Sequence, residues 1–101
     1  MKEQVISADG ALTISLSETL SFEDHERFRD ILDSIKSTQL NKCIFDLNRL
    51  ESIDSAGLGM LMIAFETAEE SNLDFSLYKP QGQVKKLLEI SDFSQVMRIV
   101  S

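Results

Sequence analysis

The stretch Cys43-Ile44-Phe45-Asp46-Leu47-Asn48, followed after four residues by Ile53-Asp54-Ser55-Ala56-Gly57-Leu58-Gly59-Met60-Leu61, changes its hydrophobic period along its length. From Lys42 to Leu47 a near-continuous apolar run predicts a β-strand, and its apolar richness puts that strand in the middle of a sheet. Downstream, Leu58, Leu61, Met62 and Phe65 recur at helical spacing, so Ser55 falls at or next to a helix N-terminus. A hydroxyl there can cap free backbone N–H groups or accept a phosphoryl group. The pattern alone leaves both roles open.

On the N-terminal side of this stretch, Glu3 to Ser7 and Leu12 to Leu16 flank Ala8-Asp9-Gly10-Ala11. Asp-Gly between alternating apolar residues predicts a two-residue β-hairpin. Leu12, Ile14 and Leu16 share one face and Thr13 and Ser15 the other, so one side of this part of the sheet is buried and the other wet. Ser21 then opens a helix with Asp24 at the capping-box position, and Phe28, Ile31, Leu32 and Ile35 form its apolar stripe. His25, three residues before Phe28, extends that stripe as a half-buried position.

On the C-terminal side, Asn72 is a left-handed helix cap, and Leu73, Phe75 and Leu77 alternate with Asp74, Ser76 and Tyr78 in a half-wet strand. Lys79-Pro80 ends it. A helix from Gln81 or Gly82 to about Ile90 turns Val84, Leu87 and Leu88 inward, and Val96 to Val100 forms a terminal strand or turn. The sum is an α/β fold: one domain over residues 1–101, an N-terminal hairpin leading into right-handed crossovers, a mixed and mostly parallel sheet, and helices mainly on one face.

With 101 residues the chain holds one modest core and little room for separate catalytic and regulatory halves. Its net charge of -7 argues against nucleic acid or anionic membrane as the primary partner, because both reward a basic footprint. A protein partner is expected. No apolar run approaches a membrane span, no leader precedes the hairpin, and the lone Cys43 has no internal disulfide partner, so a reducing cytoplasm is the expected setting.

The two motif runs, Ile44 to Asn48 and Ile53 to Leu61, resemble the signature of STAS domains, the family of bacterial anti-sigma factor antagonists. The resemblance extends over nearly the whole chain, through the hairpin, the long first helix and the closing Ile90-Ser91-Asp92-Phe93. It implies that Ser55, the serine after the aspartate, is a phosphorylation site. Ala56 stands where the family often has a second hydroxyl residue, and Ser17-Glu18-Thr19-Leu20-Ser21 replaces the family's common glycine-containing turn. The implied function is a partner switch: docking to a serine kinase or anti-sigma-type regulator while Ser55 is unmodified, release on phosphorylation, and resetting by a PP2C-type phosphatase. The rival readings are a constitutive STAS subunit of a membrane transport complex and a weak nucleotide-binding domain.

Around Ser55 the expected partner surface comprises Asp54, Ala56, Gly57, Leu58, Gly59, Met60 and Ile63. Gly57 and Gly59 each cost a helix about 1 kcal/mol relative to alanine, so close approach, by a neighbouring strand or by a partner, must offset them. They do not form a dinucleotide fingerprint, because Met62 occupies the third glycine's place. Met60 and Ile63 flank the inward stripe, and methionine adapts to varied contacts. Loops after parallel strands gather at one sheet edge, which is expected to bring Asp46, Asp54, Ser55 and Lys79 together, with Lys79, Lys85 or Lys86 near the phosphate. Asp46 and Asp54 can equally serve only to orient the turn, and a receiver-type magnesium site lacks its acidic pair. One histidine, one buried cysteine and scattered carboxylates assemble no catalytic constellation, so no enzyme activity, cofactor or metal is expected.

Overall fold

A computed structural model describes residues 1–101. Its elements are β1 (Lys2–Ala8), β2 (Ala11–Leu20), a 3-10 turn (Phe22–Asp24), α1 (His25–Ser37), β3 (Lys42–Ile53), α2 (Ser55–Glu70), β4 (Asp74–Tyr78), α3 (Gly82–Ile90), a second 3-10 turn (Phe93–Gln95) and β5 (Arg98–Val100). The strands lie in sequence order, β1 antiparallel to β2 and the rest parallel, so β3 is the central strand. Asp9 and Gly10 join β1 to β2 with φ of 52° and 78°. Two successive positive φ values give the hairpin the twist its strands require, which is why Asp-Gly sits there.

The alternation predicted for β2 holds: Leu12, Ile14 and Leu16 are buried, and in register beside them lie Cys43 and Phe45 of β3, then Phe75 and Leu77 of β4. All three helices join this one core. Phe28, Ile31 and Ile35 come from α1, Leu61, Ala64 and Ala68 from α2, and Val84 and Leu88 from α3. Phe28 stacks on Phe45 with ring centroids 6.0 Å apart, and Phe65 meets Phe75 edge-on at 5.6 Å. The opposite face carries rows such as Gln4, Ser15, Asp46 and Tyr78, with no helix packed on it. Ser76, expected to be wet, is buried on that side between Ile44 and Arg98 in the register.

Three local expectations are corrected. The segment read as a turn after the second strand, Ser17 to Ser21, continues β2 as far as Leu20, paired with β3. His25 is exposed, because the chain spends Phe22–Asp24 in a 3-10 turn before α1 starts and so rotates His25 off the apolar stripe; its ring stacks on Phe22, centroids 4.9 Å apart. More consequentially, β3 does not stop at Leu47 but runs to Ile53. On one side β2 accompanies it as far as Leu20 opposite Ile53. On the other, β4 has already ended opposite Asp46, and side chains from the start of α3 take over. Gln83 accepts from the Ile53 N–H and donates to the Ile53 carbonyl, both at 2.9 Å, and Gln81 donates to the Asn48 carbonyl. The amides act as a substitute strand and satisfy backbone groups that would otherwise lack partners.

Candidate functional site

Where β3 ends, Asp54 adopts extended backbone (φ -103°, ψ -178°) and becomes the N-cap of α2. Its Oδ1 accepts from the Gly57 N–H at 2.7 Å, while its Oδ2 accepts from the Phe22 N–H at 3.3 Å. Its own N–H donates to the Leu20 carbonyl at 3.2 Å. One aspartate thus ties the end of β2, the turn before α1 and the start of α2 together. Ser55 is the first helical residue and is exposed. Since Asp54 supplies the cap, the Ser55 hydroxyl is not needed for it and stays free at the positive end of a 16-residue helix.

The neighbouring positions divide sharply. Ala56 and Leu58 are half-buried and Gly59 is exposed, with nothing within 4 Å of where a Cβ would stand. Ile63, 49% exposed, lies on the same helix face as Ser55 and Gly59 at i, i+4, i+8 spacing. Two expected surface residues are instead interior. Met60 is 7% exposed and belongs to the core, because its position in the helical period points to the sheet. Gly57 is buried, and a Cβ on it would stand 2.5 Å from the Leu20 oxygen and 2.6 Å from Ile53 Cγ1. Its glycine is required by the neighbouring strand's backbone.

Lys79 does not converge on Ser55. Lys79 follows Tyr78, which is opposite Asp46, and Ile53 lies seven residues further along β3, about 23 Å of extended chain. Lys79 instead sits in a left-handed conformation (φ 53°) with Nζ 5.2 Å from the Tyr78 ring. The expected shared edge fails because β3 outruns β4. For the same reason Asp46 is mid-strand, its Oδ1 accepting from the Asn48 N–H at 3.0 Å. Lys85 and Lys86 are exposed on α3, close in sequence to the Gln83 that holds Ile53.

A residue that periodicity did not select lies beside the helix start. Phe22 is 65% exposed, and its backbone is tethered to Asp54. The signal was its phase: an apolar residue immediately after the Ser21 cap, out of step with the Phe28–Ile31–Ile35 stripe. Beside it, Asp24 is buried. Burial alone would raise its carboxyl, but the Ser21 N–H, the N-terminal ammonium and Arg27 together outweigh that and hold it below the ordinary carboxylate range. No cluster of three or more His, Cys, Asp or Glu side chains is placed to hold a metal.

In this small α/β domain the central strand leads into a helix whose first residue is an exposed serine that takes no part in the cap. The STAS domain family profile matches residues 4–101, and the chain belongs to that family. It is 35% identical over 94 residues to a STAS-domain containing protein of Pseudomonas aeruginosa, covering 92% of each chain. Among solved structures it superposes on an anti-sigma factor antagonist from Mycobacterium paratuberculosis with TM-score 0.86 at 14% identity, covering 98% of this chain and 84% of that one. The phosphorylated form of the Bacillus cell fate determinant SpoIIAA gives TM-score 0.74 at 20% identity, covering 99% and 92%. No helix is long and apolar enough to cross a membrane.

Proposed function

We propose that the domain is a phosphorylation-controlled docking module. With Ser55 unmodified, the start of α2 binds a serine kinase or an anti-sigma-type regulator; phosphorylation of Ser55 releases it, and a PP2C-type phosphatase restores the docking form. The docking surface comprises Asp54, Ser55, Ala56, Leu58, Gly59 and Ile63, with Phe22 beside them. The observation that carries this reading is the division of labour at the helix start: Asp54 fills the cap and Ser55 is left exposed. The solved phosphorylated form of SpoIIAA, a protein of this fold, supports it.

The physics of release is local. A phosphoserine brings about -1.5 to -2 charge beside Asp54, and burying it against a partner costs desolvation and like-charge repulsion. In the free domain the helix N-terminus stabilises the same phosphate by about 0.3–1 kcal/mol, so the fold tolerates what the interface does not. Lys85 and Lys86, rather than Lys79, are the candidates for a phosphate-neighbouring role; unchanged kinase and phosphatase kinetics in their alanine variants would remove them. The defining experiment is mass spectrometry after incubation with the cognate kinase and ATP. A single phosphoryl group is expected on the wild type and none on Ser55→Ala; modification that persists in the variant places the acceptor elsewhere.

A further inference from the structure

We propose that the open face of the sheet carries a binding site for a small zwitterion of the α-amino-acid class, built around Arg49 and Asp46. The site originates in a β-bulge. Ser15 is opposite Asp46 and Ser17 opposite Arg49, so β3 carries Leu47 and Asn48 where β2 carries only Leu16. Bulges bend a strand and re-aim its side chains, and this one opens a cavity of about 290 Å³ lined by Gln4, Ser15, Leu16, Asp46, Asn48 and Arg49. Asn48 and Arg49 also line a neighbouring cavity of about 620 Å³ that reaches Gln81 and Gly82 and carries the Glu18 and Glu51 carboxylates, so an anion is excluded from that side and the Asp46 side is the one open to the ligand. The bulge is fastened from both sides, by Asp46 accepting from the Asn48 N–H and by Gln81 donating to the Asn48 carbonyl.

The charges in this furrow specify the ligand. Lys2, Arg27 and Arg98 are engaged by Glu18, Glu3 and Asp74, whereas Arg49 pairs with no carboxylate. Asp46 is anchored through one oxygen, and the other is unengaged. An anion alone would meet the Asp46 carboxylate, and a cation alone would meet the Arg49 guanidinium. A molecule carrying both signs satisfies both: its carboxylate accepts paired N–H bonds from the guanidinium fork, and its ammonium donates to Asp46. Gln4 and Ser15, in the same row as Asp46, supply neutral donors and acceptors. No aromatic ring lines either cavity, so a nucleobase would find nothing to stack on.

Amide-detected NMR titration of the full chain tests this site, with glycine and L-glutamine as ligands and with acetate and methylammonium as single-charge controls at fixed ionic strength. Saturable shifts at Gln4, Ser15, Asn48 and Arg49 are expected from the amino acids and not from the controls. Arg49→Gln should weaken binding about tenfold or more, with Arg49→Lys intermediate because it keeps the charge and loses the fork. Asp46→Asn tests the ammonium contact, and Ser55→Ala, which leaves the furrow intact, should bind as wild type and so separates this site from the docking surface. Shifts that stay linear to about 100 mM, an equal response to acetate, or undiminished binding in Arg49→Gln would overturn the proposal.

Discussion

Asp54 does three jobs with one carboxylate and one amide, and its substitution separates them from the chemistry of Ser55. Asp54→Ala removes the α2 cap and the Phe22 tether together, so thermal unfolding should show a loss of about 1–2 kcal/mol, while Asp54→Asn keeps a capping oxygen for the Gly57 N–H but has no second acceptor for the Phe22 N–H and should lose about half as much. Equal losses in the two variants would mean that the Phe22 tether or the negative charge, not the cap on Gly57, is what counts. Ser55→Ala, by contrast, touches no internal hydrogen bond and should leave stability within about 0.5 kcal/mol of wild type. Much of this was legible beforehand, since an Asp-Ser pair at the junction of two periods marks a helix start. Which of the two caps was not, because both residue types cap and only the backbone path past Leu20 and Phe22 selects Asp54.

In α2, two glycines two residues apart have opposite reasons to exist. Gly57→Ala drives a methyl into the Leu20 carbonyl and should destabilise by about 1–3 kcal/mol. Gly59→Ala meets open space and should stabilise by about 0.5–1 kcal/mol, yet weaken partner binding if the partner's backbone approaches there. Denaturant midpoints of the two variants check the pair, and a destabilised Gly59→Ala would contradict the open-space account. The capping box before α1 predicts a pH effect. Because the folded Asp24 carboxyl is held below its ordinary value of about 3.9, its ionised form favours folding above that value, and the contribution fades as pH falls through the lowered folded value. The gap in urea midpoint between wild type and Asp24→Asn should therefore be widest near neutrality and close below about pH 4; a constant gap would assign Asp24 a purely steric role. The strands and helices themselves were readable from period, except that β3 was cut short. Asn48-Arg49 breaks the apolar run, and the glutamine side chains that extend the strand come from 30 residues or more away, which no local window registers.

As a molecule, the domain is a single core under three helices with one bare sheet face, and its only thiol reports on that core. Burial pushes the Cys43 thiol up to about 12, so it should label with a thiol reagent at neutral pH only through unfolding, at a rate that rises as stability falls in Gly57→Ala. Fast labelling of the folded wild type would show that the sheet opens locally. The fold class, the hairpin and the serine at the helix start followed from the sequence, whereas the surface around the serine followed only in part: Met60 and Gly57 moved inside, Phe22 joined it without a signal from the stripe, and Lys79 was left behind by the longer central strand. Helical phase tells which residues share a face, but not how far a neighbouring strand reaches along it. On the proposed switch, a phosphate on Ser55 abolishes docking without disturbing the fold. Calorimetric titration of the Ser55-phosphorylated and unmodified domains against the same purified regulator decides it. Affinity at least about tenfold weaker for the phosphorylated form, with superimposable melting curves, is the expected result; equal affinities for the two forms would contradict it.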